Sequence, residues 1–119
     1  MPDKVNLAEK FALFTEQWSH RLVGRINDMD VKLVKIEGEF IWHSHETEDE
    51  MFFVTRGRLT MHFRDKDVVV EPGEFIIIPH GVEHKPSCGE ETHIMLVEPA
   101  TTVNTGAEES DFTHTPEAL

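Results

Sequence analysis

From Trp18 onward, apolar and polar residues alternate with a period of two in short segments near 18–26, 31–36, 39–45, 50–56, 58–64, 67–71, 74–79 and 92–98. That period puts successive side chains on opposite faces of an extended chain, so each segment predicts a β-strand. The breaks fall at Asn27-Asp28, Gly38, Gly57, Asp65-Lys66, Pro72-Gly73, Gly81 and Cys88-Gly89, all suited to turns. No interval is long enough for the crossover helices of a parallel sheet, and the pattern predicts an all-β antiparallel barrel or sandwich.

Ahead of the strands, Asn6-Leu-Ala-Glu9 opens like a capped helix, and Leu7, Phe11 and Phe14 share one side at helical spacing. A short helix over 6–14 should therefore dock on the sheet. The expected organisation is a helical extension at 1–16, a barrel at 17–99 and a polar acidic tail at 100–119. Met51–Val54 and Phe75–Pro79 are apolar on both faces, so each needs cover outside the barrel as well as inside, from the helix or from a second subunit. A homodimer is the expectation.

Charge narrows the choice of partners. Eleven Lys and Arg stand against 23 Asp and Glu, a net charge of −12, which opposes any phosphate backbone and argues against nucleic acid. Part of the excess, Glu108, Glu109, Asp111 and Glu117, lies in the tail and reads as a solvated segment. Cys88 is the only cysteine, so no intrachain disulfide can form, and the N-terminal residues lack the pattern of a secretory signal. The reading is a cytoplasmic protein with no membrane partner, since no apolar run is long enough to cross a bilayer as a helix.

The chemistry lies in the histidines. On a helix His43 and His45 would point about 200° apart, whereas on a strand they share a face, with Trp42 and Ser44 turned away. Glu50 returns to the same side only if the polar stretch Glu46-Thr-Glu-Asp49 turns the chain. His84 follows the tight Pro79-His-Gly81-Val corner, where a side chain is held firmly against a sheet. Three imidazoles and one carboxylate form a donor set that first-row divalent ions accept. His80, His93 and Glu83 are the further candidates for a catalytic base: His93 shares the parity of Met95 and Val97, while His80 and Glu83 flank the second corner.

The stretch from Gly38 through His43, His45 and Glu50 to Gly57 resembles the first conserved motif of the cupin superfamily, and Gly73 through Pro79 and Gly81 to His84 resembles the second. Together with the 15 residues between them they span about 40% of the chain. The resemblance implies a small jelly-roll barrel, the double-stranded β-helix, and makes His43, His45, Glu50 and His84 the metal ligands. Two details depart from the family pattern: one residue fewer between Gly38 and His43, and Cys88 where Asn is frequent. The implied cofactor is one divalent ion per chain, Fe, Mn, Ni, Co or Zn. The implied function is a metal-dependent enzyme on a small oxygen-chelating substrate, by dioxygenase, isomerase or decarboxylase chemistry; the alternative is a non-catalytic module that binds metal and a small ligand.

Overall fold

The computed structural model describes residues 2–106 and 115–119. A five-residue helix, α1 (Leu7–Phe11), precedes eight strands: β1 (Arg21–Ile26), β2 (Met29–Glu39), β3 (Glu50–Arg56), β4 (Leu59–His62), β5 (Asp67–Val70), β6 (Phe75–Ile78), β7 (Lys85–Pro99) and β8 (Glu117–Ala118). Every pairing between these strands is antiparallel except β1 with β8. The architecture is the predicted β-barrel with a short N-terminal helix. Among the described residues, no helix is long and apolar enough to cross a membrane.

β7 organises the barrel. It pairs with β2 along most of its length, while its first residues also pair with β4 and its later ones with β3. The break expected at Cys88-Gly89 is therefore not a turn between strands. Ile36 faces Thr92 and Gly38 faces Cys88, so the irregularity is taken up as a bulge inside a continuous β7. Gly38 likewise interrupts no strand: it sits within β2 at a φ of 83°.

The segment predicted as a strand over 39–45 leaves β2 at Glu39 and keeps only an isolated bridge, His43 with His84. No neighbouring strand runs beside it for a full ladder. Its extended parity nonetheless survives, with His43 and His45 buried and Trp42 and Ser44 on the other side.

Alternation decides the core. Val34, Ile36, Phe52, Val54, Leu59, Met61, Ile78, Ile94 and Leu96 point inward and form the main cluster. Asn6 caps the helix, its side-chain oxygen accepting from the Glu9 N–H at 3.0 Å, and Phe11 and Phe14 pack on Leu33 at the outer face of β2. The helix thus covers β2 and β7, and Phe75 and Ile77 on β6 stay 59% and 56% exposed. The tail departs from a simple solvated segment: Thr102, Asn104 and Thr105 are buried, and Leu119 joins the Phe11 cluster. Glu117 lies in β8, whereas Glu108, Glu109 and Asp111 fall outside the described residues.

Gly57 turns β3 into β4 at a φ of 89°, and a Cβ there would sit 2.4 Å from Thr92 Oγ1 and 2.9 Å from Thr92 Cα. Thr92 is fully buried, and its hydroxyl accepts from the Arg58 N–H at 3.2 Å. Gly57→Ala is expected to cost about 2–4 kcal/mol, from the left-handed backbone and the clash together. Urea denaturation checks this, and a loss below about 0.5 kcal/mol would contradict the packing described.

Candidate metal centre

Three short pieces of chain deliver the ligand atoms. The 43–45 segment contributes two imidazoles, the first residue of β3 contributes Glu50, and the segment after the Pro79–Gly81 corner contributes His84. Reciprocal backbone hydrogen bonds between His43 and His84, at 3.0 and 2.9 Å, join the first and third pieces. The Gly81 N–H donates to the His45 carbonyl at 2.7 Å. The expected turn before Glu50 is present and braced, because both the backbone N–H and the ring of His80 engage Asp49 Oδ1, at 2.8 and 2.9 Å.

One potential donor atom from each of His43, His45, Glu50 and His84 lies within 4.8 Å of all the others, and all four residues are buried. Glu50 Oε1 is 2.9 Å from His45 Nε2 and 3.1 Å from His84 Nε2. These are the separations of adjacent corners of an octahedron whose bonds are about 2.1 Å long. None of the three atoms has a well-formed hydrogen bond to the protein. Buried polar atoms left in that condition and facing one point suit a cation.

The outer nitrogens set the tautomers. His43 Nδ1 lies 2.9 Å from the Ile41 carbonyl and His84 Nδ1 2.9 Å from that of Val82. A carbonyl only accepts, so each Nδ1 carries the hydrogen and each Nε2 presents a lone pair inward.

Electrostatics favours the metal-ready protonation state. Burial, with the neighbouring His84 adding to it, pushes His43 down to about 4. Burial alone would raise Glu50, but the contacts from His45, His84 and Glu98 outweigh it and hold that carboxyl well below its ordinary range. Neutral imidazoles beside an ionised carboxylate are what a divalent ion requires.

Behind Glu50 lies a second buried carboxyl. Glu98 is completely buried on β7, and Lys32, 1% exposed on β2, donates to its Oε1 at 2.9 Å. Burial, reinforced by the adjacent Glu50, raises Glu98 well above the ordinary carboxyl value. Neither residue figured in the sequence reading, although parity carried the signal: Lys32 keeps step with Val34 and Ile36, and Glu98 with Ile94 and Leu96.

The proposed bases sit elsewhere. His93 does not project into the cavity; it lies on the outer face, its ring stacked on Phe11 at 4.6 Å. The strand parity it shares with Met95 is that of the helix-covered side. His80 is exposed against Asp49, and Glu83 is exposed and paired with Arg64 at 3.2 Å. The small cavity beside the ligands is walled by Trp18, Val34, Phe40, Phe52, Ile94 and Leu96, with His20 and Asn104 as its polar additions.

Residues 30–98 match the family model described as Cupin domain. The chain is similar to a cupin-2 domain containing protein of Shewanella frigidimarina, with 48% identity and a TM-score of 0.79 over 80% of this chain and 93% of that one. It is also similar to protein NMB1881 of Neisseria meningitidis, with 26% identity and a TM-score of 0.75 over 82% of this chain and 99% of that one. Among curated proteins, the uncharacterized YdbB of Bacillus subtilis is 34% identical over 71 residues, which are 59% of this chain. The match spans 63% of YdbB, less than two thirds of its length.

A depressed imidazole has a defined sign. Between pH 6.5 and about 4 the unfolded chain takes up a proton at residue 43 that the folded, metal-free chain refuses, so stability falls as pH falls through that window, by about 3 kcal/mol at most. Glu98, raised by burial, acts in the opposite sense, and the comparison with His43→Gln isolates the imidazole. Urea titrations of chelator-treated protein should show the wild type losing more stability than His43→Gln between pH 6.5 and 4; parallel curves would contradict the burial of a neutral His43.

Proposed function

The chain belongs to the cupin family, and from that premise we propose that it is a metal-dependent enzyme acting on a small organic molecule that chelates the ion through carboxylate, carbonyl or enol oxygens. The observation that carries this reading is the convergence of four buried donor atoms, three of them without a well-formed protein hydrogen bond. His43, His45, Glu50 and His84 would hold the ion. On an octahedral ion four protein ligands leave two positions for substrate or water.

The ion, when bound, supplies a Lewis acid or, if it is iron, oxygen chemistry. The donor set admits Fe, Mn, Ni, Co and Zn alike. The chain's own residues keep Glu50 ionised, fix the tautomers of His43 and His84, and surround the ligands with an apolar wall that keeps bulk water away. His80, His93 and Glu83 gain no support as bases from where they lie. The single cysteine, Cys88, is buried, and this suits the reducing cytoplasm proposed as its setting.

One observation favours the alternative, a non-catalytic module that binds metal and a small ligand. The cavity beside the ligands measures about 20 Å³, room for little more than one water. Anaerobic metal analysis tests the shared premise: one ion per chain is expected, with most of it lost in His45→Ala and in His84→Ala, and a metal-free wild type would overturn both readings. Oxygen uptake or turnover of catechols, β-diketones or keto acids by the reconstituted protein supports the enzyme, and retention without turnover supports the module.

We infer a homodimer from the outer face of β3 and β6. Met51 pairs with Ile77 and Phe53 with Phe75 across that ladder, all four pointing outward. A uniformly apolar face on so acidic a chain suits a second copy of itself, the same patch meeting its mate about a two-fold axis. Sedimentation should give a dimer at micromolar concentration and a monomer for Ile77→Glu; a monomeric wild type would sink this inference.

A further inference from the structure

We propose that Ser87, His62 and Asp67 form a second reactive centre, on the outer face of the barrel, in which Ser87 is a nucleophile for acyl transfer from small acyl esters. The three side chains come from three neighbouring strands. Ser87 lies on β7, His62 ends β4 and Asp67 opens β5. His62 stands across from Asp67 on one side and Lys85 on the other, and Thr60 stands across from Ser87. Alternation turns the group outward: Met61 and Pro86 are buried, whereas His62 and Ser87 are half-buried and Asp67 is exposed. Pro86 lines the inner cavity, so Ser87 stands on the other side of the wall from the metal ligands.

Both ring nitrogens of His62 are engaged. Nδ1 lies 2.7 Å from Asp67 Oδ1, and Nε2 lies 2.6 Å from Ser87 Oγ. Donor chemistry sets the direction of each bond. An ionised carboxylate only accepts, so Nδ1 carries the ring hydrogen and Nε2 presents its lone pair to Ser87. The Ser87 hydroxyl therefore donates to Nε2. A serine hydroxyl that donates to an imidazole, whose far nitrogen is oriented by a carboxylate, is the arrangement that activates serine as a nucleophile, whatever the fold that carries it.

The surroundings leave room for a substrate. Thr60 lines an open hollow of about 610 Å³ with Arg58, Glu71 and Glu90, so a small ester has space beside the hydroxyl. Lys85, across from His62 and two residues before Ser87 on the same face, is the cation assigned to the developing oxyanion, and its Nζ is tethered to Glu39 Oε1 at 2.9 Å. In the first step Ser87 Oγ bonds to the acyl carbon and its proton passes to His62 Nε2. The bond from the acyl carbon to the leaving oxygen then breaks, and that oxygen takes the proton from Nε2. Water next attacks the acyl-serine, giving a proton to Nε2, and Ser87 Oγ leaves with it as the acid is released.

The test uses the full chain and p-nitrophenyl acetate, with and without EDTA, and reads both p-nitrophenol release and the acetyl group trapped on the Ser87 peptide by acid quenching and mass spectrometry. The wild type should form acetyl-Ser87 at the same rate in either condition, and Ser87→Ala should form none. His62→Gln should slow acetylation about a hundredfold. Asp67→Asn should slow it at least about tenfold while the final extent of acetylation is unchanged, because an amide at 67 can donate to Nδ1 and reverse the tautomer. Lys85→Met should slow it about tenfold. A merely structural hydrogen-bond network would shift the melting temperature of these variants and leave no acetyl group on Ser87. Acetyl groups on lysines alone, release that disappears with EDTA, or wild-type rates in His62→Gln and Asp67→Asn overturn the proposal, and a wild-type rate in Lys85→Met overturns the role of Lys85.

Discussion

Placing a carboxylate and three imidazoles inside an apolar barrel is the constraint around which the rest of the molecule is arranged. Each group would cost several kcal/mol if buried alone. Here they are buried together, with donor atoms from all four converging on one point. His43 and His84 are fixed through Nδ1 to carbonyls two residues earlier in the chain. Their backbones are fixed to each other by a single bridge. The arrangement spends folding free energy on a charge distribution that only a cation completes.

The same constraint explains the second ionisable pair. Glu98 and Lys32 lie deeper along the inward faces of β7 and β2, where the only way to bury either is to bury both. Glu50 is thus backed by a carboxyl that burial pushes well above its ordinary range and stands beside His43, whose imidazole burial pushes down to about 4. The surrounding Val34, Ile36, Phe52, Ile94 and Leu96 keep the local dielectric low beside Glu50. Helix α1 covers the outer face of β2 and β7, and Gly106 packs against the Ser44 carbonyl of the ligand segment.

Much of this could be read from residue order. Period-two alternation located the strands, and the inward parity of His43 and His45 held even though their segment lacks a ladder, because extended backbone alternates whether or not a neighbour pairs with it. The Pro79–Gly81 corner and the turn before Glu50 were legible from turn chemistry. Parity left His93 open between the cavity and a buried hydrogen-bonding role: alternation says that residues share a face without saying which face, and Met95 belongs to the side that receives the helix, where His93 is buried beside Glu91. It also hid Lys32 and Glu98, since a charged residue in a strand is ordinarily taken to face water.

What the sequence determined by itself was therefore local: strand period, turn positions, the cap at Asn6, the donor types and the motif spacing that carries the family resemblance. Each depends on residues close together in the chain, or on spacing a motif preserves. Tertiary structure alone decided which face of β7 is inside, that Glu98 stands behind Glu50, and that Asn104 and Gly106 return to the ligand segment some sixty residues earlier. Those facts depend on how β7 bends across the barrel and where its end releases the chain, and sequence distance carries no record of that path.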